Sequence, residues 1–449
     1  MRSVWTRVGV LGLAAGCATV DPRPEQAEAR AAIRAATGVA DVHDPEAPPD
    51  AETLAGWLAD GLTLDEALRI ALLENRRLQA GFARLGVSKA ELVQAGLWRD
   101  PRVSFAVLLP SGGGAVRWTL DLAASVLDLW ELPRREALAR AELARDVLAL
   151  ADAASALAAE VRAAYFTAAA AGERVALAQE EERLARAELA AVEARVTGGV
   201  ASALDAERVR ARLAEAAQVR LAAERDAVGA REALAALFSW PRALGAVQLV
   251  DGLPARAGLL APEEELVAQS RAQRLDLQAS ARDLDARRAE LALQESRKVP
   301  ELDLTLAAER PELGEDPGFL AGPGLTVGLP LSGAPRVRSA AAAFELAARE
   351  AEHAALVAEA SQAVRAAAQR ARLADEAARQ AEDELVPRAL ELLARTRAER
   401  ELGRATLLEE LVAERALAVA RRTELEARLA AALARAELER ALGAPRARP

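Results

Sequence analysis

Two carboxylates occupy equivalent places in this chain: Asp205 stands six positions beyond Gly199, and Glu409 six beyond Gly403. Each closes a hydroxyl-x-x-acid pattern, Ser202-x-x-Asp205 and Thr406-x-x-Glu409. In such a pattern the hydroxyl accepts a hydrogen bond from the amide three residues on, and the acid reaches back to the hydroxyl residue's own amide. The chemistry is that of helix starts, each placed just after a glycine turn, Gly198-Gly199 in one case and Gly403 in the other. Other reactive groups are sparse. The two histidines, His43 and His353, are far apart, and Cys17 is the single cysteine. No internal disulfide and no Cys/His cluster at zinc-ligand spacing is therefore available. The glycine cluster Ser111-Gly112-Gly113-Gly114 lacks the lysine of a phosphate-binding loop and reads as a hairpin loop between two strand-like runs. No acid/base pair or nucleophile stands out, so the expectation is a non-enzyme without metal or cofactor. Tyr165, the only tyrosine, reads as a helix-packing residue. His353 reads as a surface residue of a long helix, and His43 carries no visible chemistry.

The elements that position these groups follow from composition. The chain has 449 residues, of which only 3% are aromatic, and its 52% apolar content is largely alanine and leucine. A long chain rich in Ala, Leu, Glu and Arg reads as extended helices packed through narrow seams. The net charge of −10 comes from acids and bases interspersed along helical faces, with no basic block that would suit a nucleic acid.

Residues 1–16 have the layout of an export signal: Arg2 and Arg7, then the apolar run Val8 to Ala15, then small residues. The run is too short to span a bilayer, which takes about 20 residues. Ala14-Ala15-Gly16-Cys17 resembles a lipobox, which would make Cys17 a site of lipid attachment; ordinary cleavage after small residues is the alternative. With Ala18 rather than aspartate after the cysteine, the pattern resembles lipoproteins sorted to the outer membrane. Residues 17–61, with Pro22, Pro24, Pro45, Pro48 and Pro49, suggest a lipidated extended segment rather than a domain.

The rest of the chain is duplicated. Leu78-Gln79-Ala80 recurs as Leu277-Gln278-Ala279, and the same shift of 199 carries Ala90-Glu91-Leu92 to Ala289-Glu290-Leu291 and Pro101 to Pro300. The shift becomes 202 at Pro133-Arg134 and Pro335-Arg336, 203 at Val161-Arg162 and Val364-Arg365, and 204 at Gly199 and Gly403. Two copies, 62–241 and 265–445, are joined by a linker over 242–264. Each copy should run helix, β-hairpin, long helix, tip turn, helix, with hairpins at 102–123 and 301–332 and tip turns at 197–201 and 401–405. Copy one opens on a capping box, Thr63-Leu64-Asp65-Glu66, and its first helix should reach about Trp98. Period-two alternation then places Val103, Phe105, Val107 and Leu109, and later Val116, Trp118, Leu120 and Leu122, on one face of two strands. Copy two repeats this with Leu302, Leu304 and Leu306, then Leu325, Val327, Leu329 and Leu331. Pro133 and Pro335 suit first turns of helices. From Pro133 to Thr197 the pattern allows one helix of about 100 Å at 1.5 Å per residue. Its counterpart is interrupted by Pro387, which should kink it.

Four strands per chain are too few to close a barrel, and an open edge is not tolerated in a bilayer, so a cyclic oligomer would have to close it. Taken together, Leu62-Thr63-Leu64-Asp65-Glu66-Ala67-Leu68, the approach Leu97 to Phe105, and Gly403-Arg404-Ala405-Thr406-Leu407-Leu408-Glu409-Glu410-Leu411 resemble the TolC-like outer-membrane efflux proteins, lipoprotein members in particular. The resemblance covers about 62–445. It implies a mainly α fold with a small β part: long antiparallel helices forming an α-barrel, and four strands per chain in a shared trimeric transmembrane β-barrel. It also implies a homotrimer in outer-membrane lipid that serves as a passive exit duct for a periplasmic adaptor and an inner-membrane pump. In this family, acids after the tip turn line a periplasmic constriction, which offers a second reading of Asp205 and Glu409 beside helix capping. Glu410 is adjacent, Val412 stands where a further acid is common, and Arg404 is a candidate partner for a carboxylate across the tip. Two other functions compete, the exit duct of type I protein secretion and a periplasmic coiled-coil scaffold without a pore.

Overall fold

A computed structural model describes residues 18–47, 56–57, 60–109, 111, 116–240, 247–255, 261–310, 320–328 and 332–443. The elements run α1 (Arg23–Thr37), α2 (Leu64–Glu74), α3 (Arg76–Ala95), β1 (Arg102–Leu108), β2 (Arg117–Ser125), α4 (Asp128–Thr197) and α5 (Ala203–Leu237). Then follow α6 (Glu263–Gln273), α7 (Leu275–Ser296), β3 (Glu301–Arg310), β4 (Leu320–Gly328), α8 (Ala334–Gln380), a π turn (Ala381–Leu385), α9 (Val386–Glu401) and α10 (Leu407–Leu442). Residues 1–25, 84–143 and 285–346 form one compact unit, and the remainder forms a second. Among the described residues, no helix is long and apolar enough to cross a membrane.

The first unit carries a four-stranded antiparallel sheet in the order β1-β2-β3-β4. Its register sets Phe105 opposite Leu120, Leu122 opposite Leu306, and Leu304 opposite Leu325, so the period-two apolar residues share one face. β4 begins at Leu320, earlier than alternation indicates, and contains Pro323; proline is accepted there because β4 is an edge strand. Leu329 and Leu331 lie outside the described residues. Where strands give way to helices, two buried carboxylates take up arginines. The Arg99 amide donates to Asp128 (2.6 Å) and its guanidinium to Glu131 (2.7 Å), while Arg297 approaches Glu131 at 3.4 Å. Asp128 and Glu131 could stand buried only with such partners.

The second unit is helical. α4 packs against α5 and α10, tied by Arg220–Glu182 (2.7 Å) and Arg174–Glu426 (2.6 Å). α10 in turn packs on α8 through Val364, Ala367, Ala371, Leu438 and Leu442, and on α9 through Ala389, Leu393, Ala413 and Leu417. Alanine at these seams lets helix axes approach closely, which is how a chain this poor in aromatic residues fills its core.

The duplication extends to individual hydrogen bonds. The first helix of each copy, expected to run unbroken, is interrupted at Asn75 and at Arg274, both extended (ψ 115° and 122°). Gln79 donates to the Leu73 carbonyl (3.1 Å) as Gln278 does to Ala272 (3.0 Å). Asn75 donates to the Leu237 carbonyl (2.8 Å) as Arg274 does to Ala441 (3.4 Å). Past each of those carbonyls the chain turns with positive φ, at Ser239 (57°) and at Gly443 (81°). A Cβ at Gly443 would lie 2.8 Å from the Arg274 Cα, so the second copy needs glycine there. The break exists because the side chain at its centre holds the end of the copy's last helix. The π turn has an equally local origin. The copy-to-copy shift rises from 203 to 204 between Val161/Val364 and Gly199/Gly403, and Ala381–Leu385 lies in that interval with the Val386 amide donating to the Ala381 carbonyl. A wider turn takes up the extra residue and spares the Asp383 carbonyl a clash with the Pro387 ring.

One expectation is corrected. Within 17–61, residues 23–37 form α1 rather than an extended segment, with Ala29 and Ile33 fully buried. Pro24 lies in the first turn of this helix, where proline is tolerated, and Pro22 and Pro45 lie outside it, so a composition averaged over the segment conceals an apolar spacing of threes and fours. Cys17 and residues 1–16 lie outside the described residues. His43 is half-buried with its ring tilted against Phe82 (centroids 5.6 Å apart, planes at 60°), and burial lowers its pKa.

Tyr165 is fully buried on α4, where its hydroxyl donates to the Leu62 carbonyl (2.7 Å) and accepts from the Asp251 amide (3.0 Å). It thereby clamps the parallel bridge between Leu62 and Leu249 onto the helix. Burial pushes the phenol up to about 12. A raised pKa contributes stability that is complete below the unfolded value, about 10, and is lost as pH rises through the folded one. Because the chain has one tyrosine, tyrosinate absorbance of the folded protein should develop near pH 12 and that of the unfolded chain near pH 10. Folded protein that titrates at the unfolded value would contradict this clamp.

Candidate functional site

Two features stand out, and each belongs to one unit. The first is the sheet. Val103, Phe105, Leu304, Leu306, Leu325 and Val327 all point to one face, and Phe105 and Leu325 are 65% and 61% exposed. The opposite face carries Arg102, Asp121, Asp303, Glu309, Thr326 and glycines, with ion pairs Arg102–Asp303 (2.8 Å) and Arg117–Glu309 (3.2 Å) across strands. β1 and β4 have no partner on their outer sides among the described residues. β2, β3 and β4 are 9, 10 and 9 residues long, matching a tilted strand across a hydrocarbon core, which takes about 9–11. Exposed Trp98 and Trp130 sit just before β1 and just after β2, a usual place for indoles at a membrane interface. One face suits lipid and the other suits water.

The second feature is the pair of helix tips. α4 ends on Gly199 (φ 72°), with the Val200 amide on the Arg195 carbonyl (2.8 Å) and the Gly199 amide on Val196 (2.9 Å). α9 ends on Gly403 (φ 73°), with the Arg404 amide on Glu399 (2.8 Å) and the Gly403 amide on Arg400 (2.9 Å). Both are left-handed glycine caps, a conformation that penalises any side chain. Gly198, just before the first, still donates to the Ala194 carbonyl (3.0 Å). Three residues after each cap a capping box starts the returning helix. Asp205 accepts from the Ser202 hydroxyl (2.7 Å) and amide (3.1 Å), and Glu409 accepts from the Thr406 amide (2.6 Å) and hydroxyl (2.9 Å). These bonds, to the Ser202 hydroxyl first and to the Thr406 amide first, lower both pKa values. Both acids are therefore ionised at neutral pH; Glu409 is solvent-exposed and Asp205 is half-buried.

The other tip residues divide. Glu410 turns inward between Arg400 and Arg397 of α9 (3.0 Å to the latter), is buried, and has its pKa lowered, chiefly by Arg400. It braces the hairpin instead of facing open space. Arg397 also reaches Glu414 (2.6 Å), so this cluster ties α9 to α10. Sequence reasoning missed Arg397 and Arg400; Arg397 stands six positions before Gly403 and Glu410 seven after it, which was the available signal. Arg404 is exposed and lies 3.8 Å from Glu399. Leu408 packs on Val192, Ala206 and Val209, so the two tips of the chain share a small core.

Residues 266–444 match the family model described as outer membrane efflux protein. The cobalt-zinc-cadmium resistance protein CzcC of Cupriavidus metallidurans is 28% identical over 256 residues, 56% of this chain and 59% of that protein. The match thus spans under two thirds of that relative. Among solved structures, CusC superposes with a TM-score of 0.70 at 18% identity, over 87% of this chain and 94% of its own. The outer membrane protein VceC of Vibrio cholerae gives 0.66 at 17% identity, over 85% and 96%. These superpositions establish the fold.

Replacing Ser202 or Thr406 with alanine should each cost about 0.5–2 kcal/mol, the range for losing an N-cap. Since the two acids have lowered pKa values, the carboxylate part of that stabilisation is complete above the unfolded carboxylate value and is lost as pH falls through the folded one, while the hydroxyl's bond to the amide three residues on does not titrate. Thermal midpoints measured from neutral pH down to about pH 3 should show the variants below the parent, with a gap that narrows in acid without closing; equal midpoints at neutral pH would mean the boxes do not stabilise the tips.

Proposed function

We propose that this chain, which belongs to the TolC-like outer-membrane efflux protein family, is the exit duct of a tripartite efflux system. It works as a homotrimer whose twelve strands close one barrel, with an inner-membrane pump supplying energy and a periplasmic adaptor docking it. The observation that carries this reading is the sheet with one exposed apolar face, one polar face and two free edges. Copies joined edge to edge, β4 to β1, would satisfy the outer backbone groups and turn the polar face to a water-filled lumen. A pore-free scaffold would leave the apolar face in water. The matched family model describes an efflux protein, and no enzymatic step is assigned.

Cys17, if lipidated, adds an anchor to the same membrane. At the tips, Asp205 and Glu409 cap helices and line a constriction at once. Capping uses one carboxylate oxygen and leaves the charge outside the helix, so rings of these acids favour cations and repel one another. Cargo is set mainly by the pump. Metal cations are the class favoured here, because the curated relative is named for cobalt, zinc and cadmium resistance and the proposed constriction is anionic.

Purified protein in planar lipid bilayers should conduct ions with a preference for cations. Asp205→Ala combined with Glu409→Ala should reduce that preference while conduction persists. Inserted protein that does not conduct would remove the duct reading, and unchanged selectivity would leave the acids as caps only.

A further inference from the structure

The two copies differ at one charge pair, and the difference leaves a cavity. In copy two, Arg435 of α10 donates to Asp375 of α8 (2.5 Å) and to the Ala255 carbonyl (3.0 Å). The shift of 203 makes Gly172 of α4 the counterpart of Asp375, and the shift of 204 makes Arg231 of α5 the counterpart of Arg435. Copy one therefore has the arginine but a glycine where copy two has the carboxylate. Arg231 is half-buried and forms no ion pair among the described residues, whereas Arg435 is paired; the Nε of each is shielded from solvent without a hydrogen-bond partner, so the copies differ at the outer guanidinium nitrogens. Beside it lies a partly open cavity of about 320 Å³, lined by Ala168, Gly172, Glu173, Arg231 and the segment 248–252. A Cβ added at Gly172 would meet no atom within 4 Å.

We infer that this cavity binds a small carboxylate anion, whose oxygens take the guanidinium of Arg231 in the place that Asp375 fills for Arg435. A planar, permanently charged guanidinium matches a carboxylate with paired hydrogen bonds, and partial burial strengthens such a pair relative to water. Two acids line the cavity, and neither takes that place. Asp251 is committed to the Leu64 amide (2.7 Å). Glu173 is exposed and has a counterpart, Glu376, beside Asp375, where it does not prevent the Arg435 pair. The inference does not depend on the duct reading.

Thermal unfolding of the detergent-purified full chain tests it, in sodium acetate and sodium succinate against sodium chloride at equal ionic strength. The carboxylates should raise the midpoint above the chloride value by about 1–3 °C once well above their dissociation constant. Arg231→Gln should abolish that difference. Gly172→Asp, which supplies the carboxylate internally, should raise the midpoint in chloride and remove the response, whereas Gly172→Ala should keep it. Equal midpoints in carboxylate and chloride, or a response that survives Arg231→Gln, would overturn the site.

Discussion

An edge strand presents a row of unpaired N–H and C=O groups, and in hydrocarbon each such group costs several kcal/mol if left alone. The sheet of this chain has two such edges, on β1 and β4, and an apolar face that belongs out of water. No helix relieves that constraint by crossing a membrane, among the described residues. The duct reading follows from how the constraint can be satisfied: the outer backbone groups of one copy by those of the next, and the apolar face by lipid. The ion pairs Arg102–Asp303 and Arg117–Glu309 then have a reason to lie on the opposite face. The same pairs would be pointless on a face turned to lipid.

Duplication explains much of the rest. Breaks at Asn75 and Arg274, the glutamines beside them, the positive φ values at Ser239 and Gly443, and the two capped tips are each one solution used twice. Where the copies diverge, the divergence is local and has a physical consequence. One extra residue in copy two coincides with the π turn before Pro387, and glycine at 172 in place of a carboxylate leaves Arg231 without the ion pair that Arg435 has.

Much of the fold was legible in the residue pattern, and the exceptions share a cause. Alternation over Val103 to Val107 and Leu302 to Leu306 requires strands, and both capping boxes at the tips could be read from Ser202, Asp205, Thr406 and Glu409. These signals are carried by neighbours in sequence. The break at Asn75 was not legible, because it depends on the Leu237 carbonyl 162 residues away. The burial of Glu410 was missed because it is decided by arginines on the facing helix. α1 was hidden by the prolines at and around its start, and the first residues of β4 by Pro323, a residue that usually argues against a strand unless the strand is known to be an edge.

The central claim is that the sheet closes only by joining copies within a bilayer. The direct measurement is the protein mass of the particle that detergent extracts from isolated outer membranes of a producing cell, by light scattering corrected for bound detergent. Particles of about three protomers, released only by detergent, are the predicted result. A monomer, or protein released without detergent, would contradict it.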